Sequence, residues 1–427
     1  MLESPQKKEN GDESMTDFEK MKATIAGDIP LMVEMEKILT AIPAMAPESG
    51  GKGEMEKCAA LESHLRKLGF ADGAVSFERF DADDERVPQG KRPNLVVTVP
   101  GKKDDFSIWV MAHLDVVPPG DLAMWESDPW TVVEKDGKLF GRGVEDNQQG
   151  LVSGVFAAKA LLDNGIVPEH TVKLLFMADE EFGSEYGIKF LLKKHPALFR
   201  KEDIIIIPDG GDPKGETIEV AEKNILWLRL HTTGLQSHGS MPDKGKNAFL
   251  AGCELALSLN DLEHFFGERD EMFNPTWSTF QPTKKSANVE TVNIIPGDDV
   301  FFMDCRILPR YTLKEVRAEI DKRVAAIEAK HGVKIEVEEL QHQESPATSA
   351  DAPVVRRLKD AIKKAHGIEA RPIGIGGGTV GAELRNLGFD AAIWSTMDEV
   401  CHQPNEYCIV RNIATDAETL AALFTTE

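Results

Sequence analysis

Cations are what this sequence has too few of. Its 427 residues carry 49 Lys and Arg against 72 Asp and Glu, a formal charge of −23 with histidine neutral. Such a deficit excludes a generic grip on nucleic-acid phosphates, which needs surplus positive charge. Long apolar runs are missing as well: none approaches the roughly 20 residues that span a bilayer, so no membrane partner is expected. Cysteine is sparse. The five thiols (Cys58, Cys253, Cys305, Cys401 and Cys408) are an odd number without CxxC spacing, which speaks against a disulfide framework or a sulfur-ligated zinc knot. Reduced, mostly buried thiols are expected, with Cys401 alone placed beside a chemically suggestive residue, His402. The N-terminal stretch from Met1 to Lys20 is polar and lacks the apolar segment of a secretory signal. Residues 1–20 therefore read as a flexible tail, and a cytoplasmic location is the expectation.

What is present is the composition of a globular chain, 41% hydrophobic and 28% charged, long enough for two or three domains. Cys58, Leu61, Leu65 and Leu68 recur at helical spacing and Gly69 follows as a stop. Short apolar runs at 95–99, 108–117, 172–178 and 204–207 read as strands, with a helix over 151–162 between the second and third. Strands apolar on both faces that alternate with helices predict an α/β fold with a mainly parallel sheet covered on both sides. From about residue 218 the rhythm changes: a strand over 218–230, a helix near 248–259, strands over 289–295 and 300–307, a helix over 313–330 and a strand over 333–337. That β-α-β-β-α-β order predicts a small two-layer α+β insert. A helix near 354–365 and a strand at 391–394 then resume the first pattern. The expected organisation is a discontinuous domain, 20–220 plus 343–427, interrupted by an insert at 221–342.

Polar clusters stand where apolar strands end, the place where open α/β sheets build sites. In Met111-Ala112-His113-Leu114-Asp115 the period of two puts His113 and Asp115 on one side, where a carboxylate can orient an imidazole ligand. A buried histidine with a hydrogen-bonded aspartate fits the pair equally well. Gly141-Arg142-Gly143-Val144-Glu145-Asp146-Asn147 leads into the helix at 151 and alone suits a turn with a cap. Asp179-Glu180-Glu181 sets three acids after a strand; a bound cation or a solvated loop would relieve their repulsion. Asp209 ends the strand at 204–207, and His402 lies in a turn-prone loop. Taken together, His113, Asp146, Glu181, Asp209 and His402 are the ligand types that suit zinc or cobalt, and the absence of sulfur favours an open, catalytic site.

Several ordered motifs carry a family resemblance: HLDVVP at 113–118, GRGVED at 141–146, ADEEFGSEYG at 178–187, PDGG at 208–211, SHGSMP at 237–242, GGGT at 376–379 and HQPNE at 402–406. In these the chain resembles the M20 family of co-catalytic metallopeptidases and deacylases, from about residue 30 onward. The resemblance implies a zinc-peptidase-like catalytic domain with an inserted lid and dimerisation domain. It further implies two divalent metal ions, most simply Zn2+ with Co2+ as an alternative. His113 and Asp209 would hold one ion, Glu181 and His402 the other, and Asp146 would bridge them. Asp115 would orient His113, and Glu180 would be the general base. In the insert, His238 matches a lid histidine that reaches the partner subunit's site and stabilises the oxyanion. Asn293 and Arg306 match substrate-holding positions, Arg306 being suited to a carboxylate, and Gly377, Gly378 and Thr379 could offer donors to the same group.

The implied activity is hydrolysis of an amide in a small peptide or N-acyl amino acid, by a homodimer. A dipeptidase or carboxypeptidase-like enzyme is favoured. An N-acyl-amino-acid deacylase of the acetylornithine deacetylase or succinyl-diaminopimelate desuccinylase type is the alternative, and an inactive metal- or metabolite-binding protein a more distant one. One departure stands out. Many relatives carry a lysine and then glycine soon after the bridging aspartate, whereas this chain reads Asn147-Gln148-Gln149-Gly150.

Overall fold

The computed structural model describes residues 15–426 except 72 and 74. The elements that position the site are helices α1 (Asp17–Gly27), α2 (Ile29–Thr40) and α3 (Met55–Lys67), then strands β1 (Ser76–Arg79), β2 (Leu95–Val99) and β3 (Lys103–His113). Next come α4 (Gly150–Asp163), β4 (His170–Met177), β5 (Ile204–Asp212), β6 (Thr217–Glu222) and β7 (Asn224–Thr233). They are followed by α5 (Ala248–Asn260), β8 (Thr279–Lys285), β9 (Asp298–Ile307), α6 (Leu313–His331) and β10 (Lys334–Gln343). The chain ends with α7 (Pro353–His366), β11 (Arg371–Ile375), α8 (Val380–Asn386), β12 (Ala391–Thr396) and α9 (Val410–Phe424). It is the expected α/β class, a mainly parallel sheet flanked by helices, together with a two-layer α+β element.

Internal packing divides the chain into two compact units, one holding the residues up to Glu181 with Asp360–Ile368 and Thr396 onward, the other Phe182–Lys359 with Glu369–Ser395. This division cuts elsewhere than residues 220 and 343. Residues 1–14 of the expected tail lie outside the described residues. Its last residues open α1 instead, because Thr16 and Glu19 form a reciprocal cap in which Glu19 accepts from the Thr16 amide at 2.7 Å.

In the first unit the strand order is β1-β2-β4-β3. The longest ladder, β3 with β4, is parallel, while β1/β2 and β2/β4 are antiparallel. A parallel pair needs a crossover, and α4 supplies it. Gly154 lets that helix sit close, since a Cβ there would meet Val110 Cγ1 at 2.9 Å. In α3 the stripe Cys58, Leu61 and Leu65 is buried as its spacing predicts, and Gly69 ends the turn at φ 95°. All five cysteines are free.

The second unit carries β5-β12-β6-β11, with β6/β11 parallel, and a separate antiparallel sheet in the order β8-β9-β7-β10. Helices α5 and α6 cover that second sheet. Leu226, Leu228, Leu230, Leu255, Phe280, Met303 and Ile320 form its core, each burial being worth about 1.5–3 kcal/mol. Two strand expectations need correction. The run 218–230 is broken at Lys223 into β6 and β7, which join different sheets. The polar trio Glu222-Lys223-Asn224 makes the break: Lys223 donates to the carbonyls of Pro275 and Trp277 at 2.8 and 2.6 Å, and Asn224 to that of Tyr311. Residues 289–293 are not a strand; only Ile294–Ile295 pair, with Ser237–His238. The missing strand is β8, whose Pro282 disguises it and is tolerated because β8 is an edge. Among the described residues no helix is long and apolar enough to cross a membrane.

Candidate metal centre

Strand β3 delivers His113 at its last residue, and the chain then turns so that Asp115 lies behind the ring. Both are buried. The His113 Nδ1–H donates to the backbone carbonyl of Asp115 at 3.0 Å, with that residue's carboxylate farther off at 3.5 Å. The expected orienting role thus falls chiefly to the carbonyl. It leaves Nε2 as the outward ligand atom. The Asp115 carboxylate is used differently: its two oxygens accept the amides of Glu180 and Glu181, each at 3.0 Å. Burial pushes this carboxyl up, but the neighbouring His113 ring and the two amides outweigh it and the net shift is downward. One side chain therefore ties the strand end carrying His113 to the turn carrying the two glutamates.

Asp146 sits where the helical path breaks, with φ −112° and ψ 93° inside the turn Val144–Gln149. Its Oδ1 stands 2.9 Å from His113 Nε2 and its Oδ2 3.1 Å from His402 Nε2. The His402 Nε2 is also 3.0 Å from Glu181 Oε2. One carboxylate is thus shared between two imidazoles. Burial and then the charge of Asp146 push Glu181 up to about 7; hydrogen bonds to Asp146 and then Glu181 push His402 up to about 10. The carboxylates draw positive charge to this point. Ligand atoms of His113, Asp146 and Glu181 lie within 4.8 Å of one another, close enough for one cation, and imidazole with carboxylate is a donor set for a divalent metal.

The loops that present Asp146 and His402 lock each other through carboxylates that sequence reasoning missed. Glu406, fully buried, accepts from Arg142 Nη1 at 2.6 Å and from the amides of Gly143, Glu145 and Asp146 at 3.0, 3.0 and 3.2 Å. In return Glu145 accepts the amides of Asp398 and Val400 at 3.0 and 2.5 Å. This lock holds a loop in which Glu399, His402 and Asn405 have positive φ, costly for residues other than glycine unless the surroundings impose it. The first acid of the triplet, Asp179, accepts from Arg92 at 3.3 Å, and Glu54 also binds that buried arginine. The sequence signals were that Arg142, Glu145, Asp179 and Glu406 fall inside the quoted motifs and that a cation was one of two ways to relieve the repulsion of the acid triplet.

The remaining expected residues lie in the second unit. Asp209 is half-buried on β5. Exposed His238 and Asn293 are adjacent, with the Gly239 amide donating to the Asn293 carbonyl at 2.7 Å. The Ser240 amide donates to His238 Nδ1 at 3.2 Å, so a neutral ring carries its proton on Nε2 and presents a donor. Arg306, on β9, already holds Asp304 through Nε and Nη2 at 2.8 and 3.1 Å and the Gly376 carbonyl through Nη1 at 2.9 Å. Its Nε/Nη2 edge is taken, leaving one further N–H on each terminal nitrogen. Gly377 and Gly378 are exposed between β11 and α8. Thr379 caps α8: its hydroxyl accepts from the Gly381 amide at 3.0 Å and donates to Glu222 at 2.7 Å.

A sequence model of peptidase family M20/M25/M40 matches residues 109–426. An uncharacterized metallohydrolase of Methanocaldococcus jannaschii is 37% identical over 400 residues, 90% of this chain and 97% of the relative. A succinyl-diaminopimelate desuccinylase of Paracoccus denitrificans is 28% identical over 88% of this chain and 93% of its own length. Human carnosine dipeptidase 1 has the same fold, with a TM-score of 0.74 at 17% identity over 96% of this chain and 98% of its own. So does the aminopeptidase PepT of Bacillus cereus, with a TM-score of 0.73 at 20% identity over 93% and 98%.

Proposed function

The chain belongs to peptidase family M20/M25/M40, and from that premise we propose that it hydrolyses an amide bond in a small substrate bearing a free carboxylate, using two divalent metal ions. The observation that carries this reading is Asp146, whose two oxygens divide between His113 and His402. In the proposed ligand set His113 and Asp209 serve one ion, Glu181 and His402 the other, and Asp146 both, with Zn2+ or Co2+ suited to the donors. The ions would polarise the scissile carbonyl and acidify a water. Glu180 takes the proton and passes it to the leaving amine; its amide is held by Asp115, which fixes where its carboxylate starts from. The Nε2–H of His238 donates to the oxyanion, in trans within a homodimer built through the 221–342 lid. Arg306, with its two remaining N–H groups, and Asn293, Gly377, Gly378 and Thr379 hold the substrate. A cytoplasmic location belongs to the same reading.

A dipeptide or a peptide cleaved at its C-terminus is the favoured substrate. An N-acyl amino acid is the second reading, favoured by the desuccinylase relative, which matches over most of both chains. A screen of the metal-reconstituted protein against dipeptides beside N-acetyl and N-succinyl amino acids separates them: turnover of acyl substrates alone reverses the order. Glu180→Gln tests the mechanism. It should lower kcat by about 100-fold to 10,000-fold with metal content unchanged, since a positioned base is worth that much; unchanged turnover in the folded variant would eliminate Glu180 as the base.

A further inference from the structure

Behind the turn that carries Asp146, a buried lysine on α3 has no role in the scheme above. Lys57 is 1% exposed, and among the described residues its ammonium makes one side-chain hydrogen bond, to Gln148 Oε1 at 3.4 Å. The same carboxamide donates to Glu36 Oε2 at 3.0 Å and Thr40 Oγ1 at 2.7 Å. All four side chains are buried. Gln148 is therefore clamped from two helices, α2 and α3. It is the second residue after Asp146, in a turn whose dihedrals at Asp146 and Asn147 are non-helical. The Gln148 amide reaches the Gly143 carbonyl at 3.1 Å, but a regular helix ladder does not run through Asp146 and Asn147, so side chains contribute to fixing the break.

Burying an ammonium costs several kcal/mol unless nearby charge offsets it. Four carboxylates act on Lys57: Asp115, Glu36, Glu54 and Glu406. Glu54 is also met by Arg92, Glu406 by Arg142, and Asp115 by two amides. Among the described residues Glu36 makes no ion pair: burial pushes its carboxyl well up, Lys57 is the cation that acts on it, and one of its oxygens is without a hydrogen-bond partner. Its hydrogen-bonded link to that cation runs through Gln148. Burial brings Lys57 down to about 8, so it keeps its proton at neutral pH.

We infer that Lys57 is a positioning residue for the bridging ligand: through Gln148 it holds the Val144–Gln149 turn so that Asp146 meets both imidazoles. The inference rests on the proposed role of Asp146 as a metal ligand. It makes a prediction opposite to that of simple electrostatics. A cation behind a metal site weakens metal binding by repulsion, so a lysine acting only by charge would, once removed, leave the site tighter. A lysine acting by position leaves it looser.

The test uses the full chain. Zn2+ affinity is measured by competition with a chromophoric chelator on wild type, Lys57→Met and the exchange variant Lys57→Gln/Gln148→Lys, with folding checked by circular dichroism and urea midpoint. Lys57→Met should weaken Zn2+ binding by about tenfold to 100-fold, as loss of a group supporting a ligand does, and lower kcat more than it changes KM. The exchange variant restores the same two groups in reversed positions and should bind within about threefold of wild type. If Lys57→Met folds and binds Zn2+ as well as or better than wild type, the inference is overturned. If Lys57→Met does not fold, the exchange variant decides: folded with affinity near wild type it supports the inference, folded with affinity down more than about tenfold it refutes it. Wild type failing to bind Zn2+ at all would instead overturn the proposed function.

Discussion

Glu406→Gln probes the reciprocal lock with almost no change in shape. In the wild type two carboxylate oxygens receive four donors: Oε2 those of Arg142 and Gly143, Oε1 those of Glu145 and Asp146. Glutamine keeps one oxygen and replaces the other with an NH2 group. Whichever way the amide is flipped, two donors face another donor. The site is fully buried, so water does not take their place. With hydrogen bonds to a charged group worth about 1.5–3 kcal/mol each, losing two costs about 3–6 kcal/mol, a large part of a typical stability of about 5–15 kcal/mol. Glu145→Gln is the internal control. Its two oxygens receive one amide each, from Asp398 and Val400, so one donor is lost and the cost is about half, 1.5–3 kcal/mol. Burial raises the Glu145 carboxyl to about 7, so the assay is urea unfolding at about pH 8.5, where that carboxyl is ionised, with wild-type m-values as the check that the unfolding transition is comparable. A loss for Glu406→Gln no larger than for Glu145→Gln, or below about 1 kcal/mol, would refute the reasoning that four donors converge on one ionised carboxylate.

Three further outcomes are expected. If His238 acts in trans, dissociating and remixing His238→Ala with Glu180→Gln, each nearly inactive alone, should restore about a quarter of wild-type sites, because half the dimers are mixed and half the sites in those are intact; no recovery would place His238 in its own subunit's site. Removing metal with a chelator should lower stability, and adding Zn2+ at about 100 times its Kd should return about 2.7 kcal/mol; an unaltered unfolding curve would count against any bound ion. Burial depresses Lys223 to about 8, below its unfolded value near 10.4. The unfolded state therefore binds more protons between these two values, so this group makes stability rise as pH increases from about 8 to 10.4, by at most about 3 kcal/mol. A side-chain nitrogen titration midpoint near 10 would contradict it.

Periodicity made most elements legible. Strands 95–99, 172–178 and 204–207 and the helices at 151–162, 248–259, 313–330 and 354–365 appear close to where apolar spacing puts them, because burial of one face writes itself into local sequence. It failed at Lys223, where the stretch read as one strand over 218–230 crosses from one sheet to another at a polar trio, and at β8, whose Pro282 reads locally as a breaker. Both depend on which strand lies alongside, and pairing partners are distant in sequence.

The same division holds at the site. The residue types alone pointed to the kind of chemistry: His113, Asp146, Glu181 and His402 are imidazoles and carboxylates placed at strand ends and turns, and a sequence without paired cysteines leaves those as the candidate donors. Only the tertiary structure decided how they are held. That Asp146 stands between two imidazoles 289 positions apart in the chain, that Glu406 and Glu145 lock two remote loops, and that Lys57 reaches the turn through Gln148 are facts of long-range hydrogen bonding. A hydrogen bond constrains both partners in space but leaves no period in either local sequence, so no reading of one segment at a time could supply them.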